Sequence, residues 1–126
     1  EKKAPEILTI EEVDKLLQQP NLDTPKGIRD SAMLELLYAT GMRVSEMLHL
    51  QIFDVNLQFG YVVCHENGKE RIIPIGLPCK KAMERYLKTS RTTFVKDEKE
   101  TALFTNCSGK AMSRQGFWKV LKGICG

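Results

Sequence analysis

Apolar residues in the first half of the chain recur at helical spacing. Ile10, Val13, Leu16 and Leu17 form one stripe. Thr9-Ile10-Glu11-Glu12 reads as a capping box, with a glutamate at the third helical position. Pro20 stops that helix, because proline has no backbone N–H to donate. A second helix is expected from Thr24-Pro25, with threonine as cap and proline in the first turn. Ile28, Ala32, Met33, Leu36 and Leu37 mark it as the central core helix, and Gly41 ends it. A third helix starts near Arg43 and carries Val44, Met47 and Leu48 inward.

The period then changes from helical to alternating. Tyr61-Val62-Val63-Cys64 and Ile72-Ile73-Pro74-Ile75 are β-rich, and Asn67-Gly68 between them is a strong hairpin signal. A two-residue turn there sets Glu66 opposite Lys69 and Cys64 opposite Arg71. Lys69 and Arg71 then project from one side of the ribbon. A fourth helix is expected over 77–90, with Cys79, Ala82, Met83, Tyr86 and Leu87 on one face. Residues 91–101 read as a solvated loop, Ala102-Leu103-Phe104 as a short buried extended segment, and Ser108-Gly109 as a turn. A last helix starts at Ser113, with Phe117, Val120, Leu121 and Ile124 as its core stripe. The pattern predicts a mainly α fold with a small antiparallel β-sheet (α+β). Residues 1–8 read as a linker, and residues 9–126 as the domain proper. The last apolar stripe runs nearly to Gly126 without a cap or polar tail, as expected of a domain cut short.

Composition adds bounds rather than identity. The 126 residues are 42% hydrophobic and 28% charged, enough for one domain with a core. No apolar run approaches the roughly 20 residues of a membrane span, and the polar start is not a signal peptide, so a cytoplasmic protein without membrane attachment is expected. A net charge of +3 is compatible with nucleic acid but does not single it out. None of the four cysteines, at 64, 79, 107 and 125, has Cys-x-x-Cys spacing. They read as small hydrophobes or spectators in a reducing compartment, and no metal site is expected.

Candidate chemistry begins at Arg43. An arginine at a helix start, just past a glycine break, can grip a phosphate through two N–H groups. Glu46, one turn on, could hold that guanidinium. By spacing alone, an exposed Arg43–Glu46 ion pair of little energetic consequence is the better explanation of the two residues. The surroundings carry the argument further. Tyr38-Ala39-Thr40-Gly41-Met42-Arg43-Val44-Ser45-Glu46 resembles the first-arginine motif of the tyrosine recombinases, the phage integrase family. The likeness continues through Leu50, Asp54-Val55, Lys69-Glu70-Arg71-Ile72-Ile73-Pro74-Ile75, Leu103-Phe104 and Ser113-Arg114-Gln115-Gly116-Phe117-Trp118. The opening Leu8-Thr9-Ile10-Glu11-Glu12-Val13 resembles the start of the family's catalytic domain. The XerD-like subgroup, which resolves chromosome dimers, is the one it resembles most.

The resemblance implies a site-specific recombinase. In such enzymes a tyrosine attacks a phosphodiester of duplex DNA, leaving a 3′-phosphotyrosyl link and a free 5′-hydroxyl. No cofactor is implied, because the covalent link conserves the bond energy. Arg43 takes the place of the family's first arginine, which stabilises the phosphate. The leaving oxygen takes its proton from a hairpin lysine. Lys69 is the candidate, although anchoring on Lys69-Glu70-Arg71 puts Glu66 where that lysine stands in the family; a Glu66–Lys69 cross-strand pair is the alternative. Arg71, Ser113, Arg114, Gln115 and Trp118 are expected to approach DNA. The family's His-x-x-Arg pair and nucleophilic tyrosine have no counterpart here. Neither His49 nor His65 has an arginine three residues on, and Tyr38, Tyr61 and Tyr86 are expected in the core. The resemblance thus implies the N-terminal part of a catalytic domain, lacking a DNA-clamping domain before it. By itself it is expected to be monomeric and unable to cleave DNA. Complete family members form tetramers of partner protomers on two sites.

Two further classes compete. One is a DNA-binding remnant or module without strand cleavage. The other is a protein of phosphorylated metabolites, against which stands the lack of a P-loop, of Gly-x-Gly-x-x-Gly and of a metal-ligand cluster.

Overall fold

In the computed structural model the described residues are 10–18, 20–66 and 68–125. Helix α1 spans Ile10–Leu16, so its expected cap, Thr9, lies outside them. Helix α2, Pro25–Thr40, is the central element. Its cap is the expected one: Thr24 is extended, and its hydroxyl accepts the Gly27 N–H at 3.0 Å. Helices α1 and α3 (Val44–Leu48) pack on α2, as does α4 (Leu77–Arg85) with its continuation. Ala32, Met33, Leu36 and Leu37 of α2 are buried in one cluster with Val44, Met47, Leu50, Val62, Met83, Leu103, Phe104 and Phe117.

Gly41 adopts φ 68°, a left-handed cap in which its N–H reaches the Leu37 carbonyl at 2.9 Å. This turns the chain sharply between α2 and α3, which sets Arg43 at the start of the new helix.

A 3₁₀ turn at Ile52–Asp54 leads into a three-stranded antiparallel sheet of order β1-β2-β3, with β1 Val55–Asn56, β2 Tyr61–Glu66 and β3 Lys69–Pro74. The β2–β3 register is the one the alternating pattern predicts: Glu66 faces Lys69 and Cys64 faces Arg71. Strand β1 was not legible in the sequence. It is only two residues long, pairing Val55 with Val62 and Asn56 with Tyr61.

Two expectations need correction. The fourth helix does not end at Ser90. It passes through a π-helical turn, Tyr86–Ser90, into α5, Arg91–Phe94. The segment after 90 looks solvated because of its charges, but Phe94 is buried. Arg91 is not free either: its guanidinium donates to the Glu100 carbonyl at 2.8 Å and the Ala102 carbonyl at 2.8 and 3.0 Å. That clamp satisfies carbonyls of the loop, which lacks a regular ladder of its own. The second correction concerns Tyr38, expected in the core but 44% exposed. It is followed in α2 by exposed Ala39, on the side turned away from the cluster.

Helix α2 itself carries a buried ion pair. Arg29, 2% exposed, meets Asp30 Oδ1 at 2.8 Å, donates to the Thr105 carbonyl at 3.2 Å, and lies 5.7 Å from the Phe94 ring centroid. Burial outweighs Arg29 in setting the Asp30 carboxyl, whose pKa lies above the ordinary value. No helix among the described residues is long and apolar enough to cross a membrane.

Candidate nucleic-acid interface

The sequence-nominated residues lie on three elements. Helix α3 packs on β2 and also on α6, Arg114–Cys125. Helix α3 is therefore the element that neighbours both the β2–β3 hairpin and α6.

Arg43 caps α3 in extended conformation, with φ −74° and ψ 153°. Its side chain is exposed, and among the described residues its guanidinium has no hydrogen bond or ion pair. With only five residues, α3 offers a weak dipole, so anion binding here would fall to the guanidinium itself. Glu46 does not take the role expected of it. Its Oε1 accepts the Arg43 backbone N–H at 2.9 Å, which caps α3. The same oxygen lies 3.9 Å from Arg71 Nη2 on β3. Glu46 therefore joins the helix start to the hairpin and leaves the Arg43 head group available.

On the hairpin, Lys69 and Arg71 are both exposed, and they alternate with Glu70 along β3. Arg71 Nη2 sits 3.8 Å from Sγ of buried Cys64, directly across the ribbon. The imidazole of His65 on β2 pairs with Asp54 of the 3₁₀ turn, Nε2 to Oδ1 at 3.0 Å. That hydrogen bond is the main reason its pKa is raised, with the Asp54 and Glu70 charges adding to it. Sequence reasoning set His65 aside for want of an arginine three residues later. The available signal was the alternation, which points His65 to the face opposite Cys64.

Ser113, Arg114 and Gln115 are exposed at the start of α6, and the Ser113 hydroxyl accepts the Gly116 N–H at 2.9 Å. Ser113 is thus occupied as a helix cap. Trp118 is half-buried against Phe117, ring centroids 5.4 Å apart and edge-on, so only part of its indole faces outward.

The three tyrosines have separate environments. Tyr86 is buried, and its hydroxyl donates to the Leu103 carbonyl at 2.5 Å. Burial pushes its pKa up to about 12. Tyr61 is half-buried, and its hydroxyl accepts from Asn56 Nδ2 at 3.3 Å. Tyr38 is the exposed one.

The chain matches the phage integrase family over residues 6–126. It is 46% identical over 126 residues to tyrosine recombinase XerD of Oceanobacillus iheyensis, a match covering 98% of this chain and 42% of that protein. It is 50% identical over 124 residues to tyrosine recombinase XerD of Halalkalibacterium halodurans, again covering 98% of this chain and 42% of its relative. The chain thus spans well under half the length of these relatives. Among solved structures, XerA recombinase superposes with a TM-score of 0.74 at 25% identity, over 97% of this chain and 42% of that one. XerH site-specific recombinase, in a pre-cleavage complex bound to difH substrate, superposes with a TM-score of 0.66 at 26% identity, over 90% of this chain and 34% of that one. By family match, identity to curated recombinases and shared fold, the chain belongs to the phage integrase family.

Proposed function

We propose that this chain is the phosphate-handling part of a site-specific recombinase catalytic domain, one that cuts and rejoins duplex DNA through a 3′-phosphotyrosyl intermediate. The observation that carries the reading is Arg43: an exposed guanidinium without a partner among the described residues, fixed at its backbone by Glu46, the same carboxylate that lies 3.9 Å from Arg71 of the hairpin. Such a group is pre-set to receive charge that develops on a phosphate, with no internal bond to break first.

The division of labour follows from the chemistry. The tyrosine hydroxyl gives its proton to a base outside these residues as its oxygen bonds to phosphorus, the 5′-oxygen leaves, and negative charge rises on the non-bridging oxygens. Arg43 offers paired N–H donors to those oxygens. The 5′-oxygen needs a proton as it leaves, and the Lys69 ammonium at the hairpin tip is the candidate donor. Rejoining reverses the step: the 5′-hydroxyl attacks the phosphotyrosine and its proton returns to Lys69. Arg71 and the start of α6, with Ser113, Arg114, Gln115 and Trp118, would hold the flanking backbone. The step consumes no cofactor. Tyr86 is too buried to serve as nucleophile and Tyr61 is held within the sheet. Tyr38 is exposed, but it precedes Arg43 in the first-arginine motif, whereas the family's nucleophile follows its His-x-x-Arg pair, so the attacking tyrosine is proposed to lie outside these residues. Domain 9–126 would therefore bind DNA but not cleave it alone, as a monomer, and would act in the cytoplasm within a tetramer on two sites when complete.

The test is Arg43→Ala in the full-length protein, challenged with a nicked duplex that traps the covalent adduct. Adduct should be lost while DNA binding persists. Normal adduct formation by the variant would sink the assignment. Binding without any adduct, even in the unmodified protein, would favour a DNA-binding module without strand cleavage.

A further inference from the structure

The outer half of the β2–β3 hairpin is held on one face only, where Cys64 is buried in the core cluster and Arg71 lies 3.9 Å from Glu46. Strand β1 pairs only with Tyr61 and Val62, so beyond Val62 the sheet is a two-stranded ribbon. Residues 69–72 of β3 are all exposed. A ribbon of that kind is marginal without a tie to something rigid. His65 provides one. It lies one residue before Glu66, the partner of Lys69, and directly opposite Glu70. Its Nε2 reaches Asp54, whose side chain is 6% exposed while that of His65 is 48% exposed.

Asp54 is itself firmly placed. Its Oδ2 accepts the Gln51 N–H at 2.9 Å. Gln51 in turn forms a β-bridge with Ala102, and the Ile52 N–H reaches the Thr101 carbonyl at 2.8 Å. The anchor thus runs from the hairpin tip into the packed body of the domain. The charged groups facing His65 among the described residues are Asp54 on the 3₁₀ turn and Glu70 on β3, whose Oε2 is 3.7 Å from Nδ1. Helix α3, which also packs on β2, directs its Glu46 to Arg71 instead.

We infer that His65, gripped by Asp54, is a positioning residue that fixes the outer end of the hairpin, and with it Lys69 and Arg71, for the phosphoryl step. Its consequence for catalysis rests on the function proposed above. Its consequence for the hairpin does not. Protonated His65 donates a charge-assisted bond to Asp54 from Nε2 and faces Glu70 with Nδ1. The tie is therefore fully present below the ordinary histidine pKa and weakens as pH rises through the raised one.

The experiment compares the full-length protein with its His65→Ala and His65→Gln variants by two readouts. One is hydrogen exchange of backbone amides over 65–71. The other is the rate of covalent adduct formation on a nicked duplex, with DNA affinity measured in parallel. His65→Ala should speed hairpin exchange and slow the adduct step roughly ten- to hundredfold, because small misplacements of catalytic groups have effects of that order. DNA affinity should change little. His65→Gln keeps a donor to Asp54 but cannot titrate, so it should restore most of the rate at high pH. The ratio of the unmodified protein's rate to that of His65→Gln should fall as pH rises through the raised pKa. Unchanged hairpin exchange in His65→Ala overturns the inference, as does faster exchange with an unchanged adduct rate. A ratio that does not move with pH also overturns it. If the unmodified protein forms no adduct, or Arg43→Ala forms it normally, the proposed function falls instead, and hairpin exchange alone decides whether His65 holds the ribbon.

Discussion

The salt dependence of DNA binding can be worked out from the exposed cations. Arg43 at α3, Lys69 and Arg71 on the hairpin and Arg114 at α6 are exposed, and α3 packs on both the hairpin strand β2 and α6. Each phosphate neutralised on duplex DNA contributes about −0.9 to the slope of log affinity against log salt. Replacing all four with alanine in the full-length protein should therefore flatten the slope by up to about 3.6. Arg71 already faces Glu46 at 3.9 Å, so its share is the least complete. Without it the change is about 2.7. A contribution of 3.6 corresponds to a roughly 150-fold loss of affinity between about 50 and about 200 mM salt. The assay is fluorescence anisotropy of a labelled duplex across a salt series, with the Arg43 and Lys69 single variants each expected to remove about 0.9, and the Arg71 variant less. Lys81 and Lys88, exposed along α4 and the π-helical turn after it, serve as the control: their double alanine variant should leave the slope unchanged. An unchanged slope in the quadruple variant, or an equal change in the control, would refute the placement of DNA against these elements.

Two further predictions concern the scaffold. Arg29→Met should destabilise the domain by roughly 3–5 kcal/mol in urea unfolding, because it strands the buried Asp30 carboxylate. Asp30 already binds its proton more tightly in the folded state than when unfolded, and more so without Arg29. The loss should therefore be smaller at acid pH and grow as pH rises through the carboxylate range, while Arg29→Met/Asp30→Leu should recover much of it. Gly41→Ala should cost about 1 kcal/mol from the left-handed φ of 68° alone, since nothing lies within 4 Å of the added Cβ. A melting temperature equal to that of the unmodified protein would show that the chain can re-cap α2 another way.

The readable parts of this fold were those governed by local chemistry. Thr24-Pro25 and Gly41 bracket α2 because capping and left-handed geometry are decided within a few residues. The hairpin register followed from alternation across a two-residue turn. What escaped reading depends on distant partners. Arg91 is charged, yet it serves a loop ten residues away, and α5 persists because Phe94 finds the core. Arg29 gives no sequence sign that it is buried, since its partners Thr105 and Phe94 come from elsewhere in the chain. At the candidate site, Arg43 and the hairpin cations stood out by motif. The part played by Glu46 did not, because the carboxylate chooses the Arg43 N–H and the neighbourhood of Arg71 only once α3 and β3 are packed. The His65–Asp54 tie joins residues eleven apart through a fold that periodicity cannot supply.

The most direct test of the central claim is to identify the amino acid that becomes linked to DNA. The full-length protein would be incubated with a nicked duplex carrying its site, digested, and the DNA-bound peptide read by mass spectrometry. A tyrosine bonded to a 3′-phosphate is expected, lying outside residues 1–126, with the adduct absent when Arg43 is alanine. A linkage at Tyr38, Tyr61 or Tyr86, or no covalent linkage under any condition that supports binding, would contradict it.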